Sequence, residues 1–395
     1  MSARFRASRL VLCSLAILLL MAACVPIPPP APSPSPSAGS PAPAATAPAP
    51  AQAAAVADRL VFARHADGNG SGGLFVVDVF VDEVPRAGAT GPLSATQLTS
   101  DGGYWAVASP DGQWIAYLVE VSNPEIWLVS IDGRKQFNMT QGAASSSQPA
   151  WSPDGSQIAF ASEGGIWIQD VAPILAGQAP PAPRKLVDVG NSPRWSPDGT
   201  QIAYLADKKG DNFTQLYTIK PDGAAERQLT AHKSDGNGSG ILAPAWQPDG
   251  RWMMVPMYFG PDCQLVLLPV DGTTAPIPDD DLRIVTPDEE FAEGPAWEAD
   301  GRWVAFHAGR NPTTIAVMDM QSGEVRHIAP ELAGIFPIWS PDGSRLAFTA
   351  TGTAPDYNQE IYVIDRDGSN PVNVTASPAA ESNPAWTTPN QPPVQ

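Results

Sequence analysis

Cysteine, histidine and basic residues are scarce in this chain. Its 395 residues hold three Cys, four His and 23 Lys plus Arg, against 41 Asp plus Glu, a formal net charge of −18. A surface this acidic is not built to neutralise phosphates, so a nucleic-acid partner is excluded. Three Cys make no disulfide framework, and no paired-Cys or His-Glu-x-x-His zinc pattern occurs. A Gly-x-Ser-x-Gly nucleophile elbow is also missing. Charged residues are only 16%, too few for a highly charged disordered chain. What is abundant is Gly (34) and Pro (44), both costly inside helices, which excludes a helical bundle. Hydrophobic residues at 43% and 12 Trp suffice for a large core.

The N-terminus reads as an address. Arg4, Arg6 and Arg9 precede a short, largely apolar run ending in Met21-Ala22-Ala23-Cys24. This is the layout of a secretory signal, too short to span a membrane comfortably. The small-small-Cys ending resembles a bacterial lipoprotein box, with Met21 where Leu is usual. The resemblance implies cleavage after residue 23 and a lipid on Cys24. Loss of the three Arg takes the formal charge to −21. Cys263 is then left without a disulfide partner. Residues 25–57 are nearly all Pro, Ala, Ser and Thr, with 11 Pro between Pro26 and Pro50. Such a segment buries no core and favours extended conformations, reaching roughly 100 Å over its length at about 3.1 Å per residue. Residues 24–57 are thus a lipidated tether, 58–388 a folded domain and 389–395 a tail.

The folded domain is one repeat. Trp-Ser-Pro-Asp-Gly stands at Trp151, Trp195 and Trp339, with weaker copies starting at Ala108, Trp246 and Trp297. The Asp positions 111, 154, 198, 249, 300 and 342 are spaced by 42 to 51 residues, the period of a four-stranded propeller blade. Ser-Pro-Asp-Gly suits a tight turn. Strands with apolar alternation follow, such as Gln157-Ile158-Ala159-Phe160 and Arg345-Leu346-Ala347-Phe348. A third strand, such as Glu125-Ile126-Trp127-Leu128-Val129, leads to an Asp-Gly turn and a fourth strand ending in Leu-Thr or Val-Thr. Residues 59–99 supply three strands but lack the first. Asn383-Pro384-Ala385-Trp386 supplies it, because it resembles Gln148-Pro149-Ala150-Trp151. An all-β, seven-bladed β-propeller closed by the C-terminal strand is therefore expected, with six blades as the alternative count.

These six copies of the motif resemble the TolB-like family of propeller repeats over about residues 58–388. The resemblance implies an extracytoplasmic binding propeller. TolB itself has six blades beside an extra N-terminal domain, which the Pro-rich segment here replaces. Its partnership with a peptidoglycan-associated lipoprotein is therefore not carried over. Oligogalacturonate lyases share similar repeats and use His and a metal in the channel, but their motif has no residue-by-residue match here.

In this connectivity the first strand of each blade lines the central channel. The loops from strand four to the next strand one, and from strand two to three, open on one face. Those loops hold 17 acidic residues, among them Glu290, Glu293 and Glu381, against Lys208, Lys209, Lys233 and Arg310. Such a mouth attracts cations or a basic partner segment. Candidate ligand-binding residues just before or early in the first strands are Tyr104, Trp105, Ser147, Asn191, Glu293, Phe336 and Glu381, with Gln148, Ser192 and Asn383 beside them. The motif Trp residues are expected to be packing. Two loops repeat Asp-Gly-Asn-Gly-Ser-Gly, at 67–72 and 235–240. Asp67, Asn69 and Ser71 place oxygens at alternate positions, as a Ca2+ loop does, and Asp78 falls at place twelve. A Gly-rich turn explains the same pattern, and no other cofactor is implied.

The expected function is a membrane-anchored, extracytoplasmic scaffold, monomeric, that binds an envelope protein, a basic peptide segment or a glycan. The rival is a metal-dependent polysaccharide lyase of the cell envelope, which needs His65, His232 and His307 to converge. A third possibility is a Ca2+-stabilised structural protein.

Overall fold

The computed structural model describes residues 58–387, apart from 66–71, 80–92, 120–121, 142–143, 212, 233–240, 272–275, 287–290, 311 and 352–357. The signal, Cys24, the Pro-rich segment, the tail and both Gly-rich loops, with Asp67, Asn69 and Ser71, lie outside the described residues. Asp78 is described, and its carboxylate accepts a bond from Arg59 Nε at 3.0 Å.

Seven four-stranded antiparallel sheets make up nearly all the described structure. Blade 1 is the composite one. Its inner strand is Ala380–Thr387, which pairs with Asp58–His65, followed outward by Gly73–Val79 and Thr96–Gln97. The register runs from Arg59 opposite Thr387 to His65 opposite Ala380. The inner strands of blades 2 to 7 are Gly103–Ala108, Ser146–Trp151, Asn191–Trp195, Ala245–Trp246, Ala292–Trp297 and Ala333–Trp339. Each blade then runs outward in chain order. The ring closes because the first and last strands of the described domain share one sheet, which leaves no inner edge strand open among the described residues.

The hydrophobic core is divided among the gaps between blades. Leu60, Phe62 and Val77 of blade 1, for example, pack on Ala347, Ile361 and Val363 of blade 7, with Trp386 between. Equivalent clusters fill the other six gaps. The second strands depart from the expected alternation. Ile202–Ala206 is buried at every position, as are Ile158, Ala159 and Phe160. Neighbouring blades cover both faces of each sheet, so these strands read as apolar runs, as doubly covered strands do.

The local motifs have visible causes. In blades 2, 3, 4 and 7 the motif Ser hydroxyl donates to the Asp carboxylate at 2.5–2.7 Å. The same Ser oxygen accepts the backbone N–H five residues on, at 2.9 Å. The motif Gly takes φ of 65–73°, which a side chain would resist. At the far end of the blade, a Thr that follows Leu, Met or Val accepts a backbone N–H from the third strand. Thr99 serves Leu74, Thr140 serves Ile126, Thr230 serves Leu216 and Thr375 serves Ile361, at 3.0–3.1 Å.

The motif Trp residues join the blades. Each indole N–H donates to a backbone carbonyl in the preceding blade, two residues beyond the inner-strand bend. Trp151 reaches Val107, Trp195 reaches Ala150, and Trp246 reaches Arg194, all at 3.1 Å. Trp297 reaches Ala245 at 3.2 Å, Trp339 reaches Ala296 at 3.0 Å, and Trp386 reaches Ile338 at 3.4 Å. Blade 2 has Ala108 in place of Trp. There Thr387 of blade 1 donates instead to the carbonyl of Gly112, at 2.8 Å.

Candidate functional site

Six of the inner strands carry the same irregularity. Their pairing with the second strand breaks across two residues, usually X-Pro. Proline has no N–H to give the ladder, so the strand bulges. Residue X then adopts a left-handed backbone. Trp105, Gln148, Ser192, Phe336 and Asn383 have φ of 52–55°, and Gly294 has 61°. A non-Gly residue held there costs about 1–3 kcal/mol and persists only where its surroundings enforce it. The bulge turns these residues toward the axis, where inner strands of all seven blades line a cavity of about 490 Å³.

Trp105 and Phe336 line this cavity and are 44% and 49% exposed, although large hydrophobic residues are mostly buried elsewhere. They belong to blades 2 and 7, with Asn383 of blade 1 between. On the other side the lining is polar. Gln148 accepts the Ser192 backbone N–H at 2.8 Å and donates to its hydroxyl at 3.0 Å, tying blade 3 to blade 4. The cavity thus has an aromatic side and an amide–hydroxyl side.

A polar network borders it in blades 4 to 6. Glu293 accepts a bond from the Tyr258 hydroxyl at 2.6 Å, and its other oxygen lies 3.5 Å from His307 Nε2. Burial disfavours the Glu293 charge, but bonds from His307 and Tyr258 outweigh it and hold the pKa below the ordinary range. Burial, followed by Glu293, pushes the Tyr258 hydroxyl and the Cys263 thiol well up. His307 is buried and, among the described residues, its Nδ1 has no hydrogen-bond partner. A Cβ on Gly294 would stand 2.9 Å from that nitrogen, so Gly is needed there for space as well as for φ. Further out, His232 bridges Asp279 at 2.8 Å and the Tyr258 carbonyl at 2.9 Å.

The expected site residues are divided by the structure. Trp105, Glu293 and Phe336 meet at the cavity, with Gln148, Ser192 and Asn383. Tyr104, Ser147, Asn191 and Glu381 are not among its lining. Tyr104 packs into the gaps on both sides of blade 2. Ser147 is partly buried and Asn191 is exposed beside Ser192. Glu381 is fully buried, which removes it from ligand contact. Arg64 Nε and the Ser377 hydroxyl both donate to its Oε1 at 2.7 Å. Burial raises its pKa against those two bonds. Two of the expected mouth acids are therefore engaged within the protein, Glu381 by Arg64 and Glu293 by Tyr258 and His307. Residues 288–290 lie outside the described residues. Of the four His, only His307 lines the cavity. His65 meets Ser382, His232 meets Asp279 and His327 meets Thr314. Among the described residues no group of three or more His, Cys, Asp or Glu is placed to hold a metal. Sequence reasoning missed Arg194, which also lines the cavity. The signal was available, since Arg stands where the repeat has a small or aliphatic residue before Trp.

No family model matches the chain. An uncharacterized peptidase, YuxL of Bacillus subtilis, is 24% identical over 271 residues, 65% of this chain and 31% of that protein. The Tol-Pal system protein TolB of Anaeromyxobacter dehalogenans is 31% identical over 108 residues, 26% of this chain and 24% of that protein. The chain therefore matches about a third or less of these relatives' lengths. Among solved structures, TolB from Acinetobacter baumannii superposes with a TM-score of 0.51 at 20% identity, covering 71% of this chain and 68% of that one. An oligogalacturonate lyase from Vibrio parahaemolyticus gives 0.54 at 12% identity, covering 81% and 86%. At these identities the structural likeness speaks for the fold alone. By its ring of blades, the chain is a seven-bladed β-propeller whose fold resembles that of TolB.

Proposed function

We propose that the protein is a lipid-anchored, extracytoplasmic scaffold that binds an envelope protein segment or a glycan at its central cavity. Cys24 would carry the lipid and residues 25–57 would hold the propeller away from the membrane. The observation that supports binding is the exposure of Trp105 and Phe336 on strained backbone in a cavity that also offers Gln148, Ser192 and Asn383. Aromatic faces beside a few fixed polar groups are the usual make-up of a ligand pocket. The likeness of part of the chain to the Tol-Pal system protein TolB agrees with an envelope partner. The alternative, a metal-dependent polysaccharide lyase, draws only on likeness of fold.

The test is capture from native envelope extract, with the protein and its Trp105→Ala/Phe336→Ala variant as baits. A protein or glycan retained by the first and lost by the second is the expected result. Equal retention by both would move the site off the cavity, and no retention by either would count against a scaffold.

A further inference from the structure

Below the bend, one position of the inner strand lines the cavity in all seven blades. It is the residue before the motif Trp, or before Ala108 in blade 2. Six of the seven are apolar: Val107, Ala150, Ala245, Ala296, Ile338 and Ala385. They form a collar of small and aliphatic groups. The seventh is Arg194, in blade 4. Among the described residues its guanidinium makes one hydrogen bond, from Nη1 to the carbonyl of Pro193 at 2.9 Å. Among the described residues no carboxylate pairs with it, in a chain where acids outnumber bases. Arg302 and Arg366, by contrast, have their Asp319 and Glu298. A guanidinium carries five donors and stays charged in proteins. Most of those donors are unused here, and burial works against the charge, lowering its pKa.

An arginine half-buried within an apolar collar, lining the cavity and left without a counter-charge among the described residues, is a site for an incoming anion. The planar fork suits a carboxylate, which accepts two parallel N–H bonds. A carboxylate entering this cavity passes the Trp105 and Phe336 faces, which suit an apolar or aromatic group next to it. We propose that Arg194 is the anchoring residue of the cavity and receives a free carboxylate of an extended peptide segment, with the adjoining side chain packed on Trp105 and Phe336. This rests on the binding reading above and names the chemistry of its ligand. It also refines the expectation of a basic peptide segment, because Arg194 adds a positive charge in the throat that a segment ending in a free carboxylate satisfies.

The full-length protein is immobilised and exposed to two libraries of N-acetylated tripeptides, one with free C-terminal carboxylates and one with carboxamides. Retained peptides are identified by mass spectrometry, and the best is titrated by calorimetry. The carboxylate library is expected to be retained, with aromatic residues enriched near its end. Its amide counterpart should bind roughly ten- to a hundredfold more weakly, the range for a lost charged hydrogen bond. The Arg194→Gln variant should lose the same factor. It should melt no lower than the parent, because an unpaired charge has been removed. Arg194→Lys, which keeps the charge without the fork, should recover only part of the affinity. Equal retention of acids and amides, or equal binding by Arg194→Gln, overturns the proposal. If Trp105→Ala/Phe336→Ala abolishes such binding, the aromatic cavity survives as a binding surface while the carboxylate assignment falls. Retention of neither library overturns it as well. A third arm uses digalacturonate. Arg194-dependent binding of that sugar, with no peptide retained, would assign the carboxylate to an acidic glycan and refute the peptide ligand.

Discussion

Replacing Glu298 with Gln should remove a specific loss of stability between about pH 5 and pH 7. In blade 6, Glu298 stands where four other blades have the turn Ser. Its side chain is 7% exposed, and Oε1 accepts from Arg366 Nη1 at 3.1 Å, while among the described residues Oε2 is buried without a partner. Burial, then the neighbouring Asp300 carboxylate, raises its pKa from 4.5 to about 7, and Arg366 only partly opposes this. The unfolded chain ionises this group near pH 4.5, whereas the folded chain keeps the proton until about pH 7. Over that interval the folded state holds more protons, so stability falls as pH rises and the loss is complete above pH 7. At about 1.4 kcal/mol per pKa unit, the shift corresponds to a loss on the order of 3 kcal/mol. Gln has the shape of the protonated acid and cannot ionise. Urea unfolding of both proteins at pH 4.5, 6 and 8 measures the difference. The two should be nearly equal at pH 4.5, and the variant more stable by up to about 3 kcal/mol at pH 8. A constant difference across the three pH values would show that Glu298 does not titrate in this window and would refute the argument.

The Trp latch is open to a direct test. Trp339→Phe keeps a large apolar ring but deletes the bond to the Ala296 carbonyl, and should cost about 1–3 kcal/mol for the unsatisfied acceptor and lost packing, read by urea unfolding. An unchanged midpoint would mean that the indole bond contributes nothing. Removing residues 380–395 should leave Asp58–His65 as an open inner strand, and the product should aggregate or unfold without cooperativity in circular dichroism. A monomer with a sharp transition would show that closure is dispensable. Cys24→Ser should abolish incorporation of radiolabelled fatty acid in cells of the native host, and persistent labelling would rule out Cys24 as the lipid site.

The blade count and the closure were legible because their signals are local. Ser-Pro-Asp-Gly builds its own turn through Ser–Asp bonds, and the Thr ending each outer strand serves the third strand of its own blade. The C-terminal Asn-Pro-Ala-Trp could be matched to its counterparts because each copy must carry the same bulge and the same indole. The site was only partly legible. Trp105, Glu293 and Phe336 were found by their place in the repeat, but the same logic chose Glu381, which is buried against Arg64. Position in a repeat locates the strand, whereas the X-Pro bulge decides which of its residues turns toward the axis.

Sequence alone therefore determined the repeated unit, its seven copies and the joining of the chain's ends, because each is encoded in contiguous residues obeying turn and strand chemistry. Which side chains share the cavity, the shielding of Glu293 by Tyr258 and His307, the pairing of Glu381 with Arg64, and the lack of a carboxylate at Arg194 among the described residues come from the folded ring. Those facts depend on distances between blades far apart in the chain, and on which charges the closed ring brings together or keeps apart.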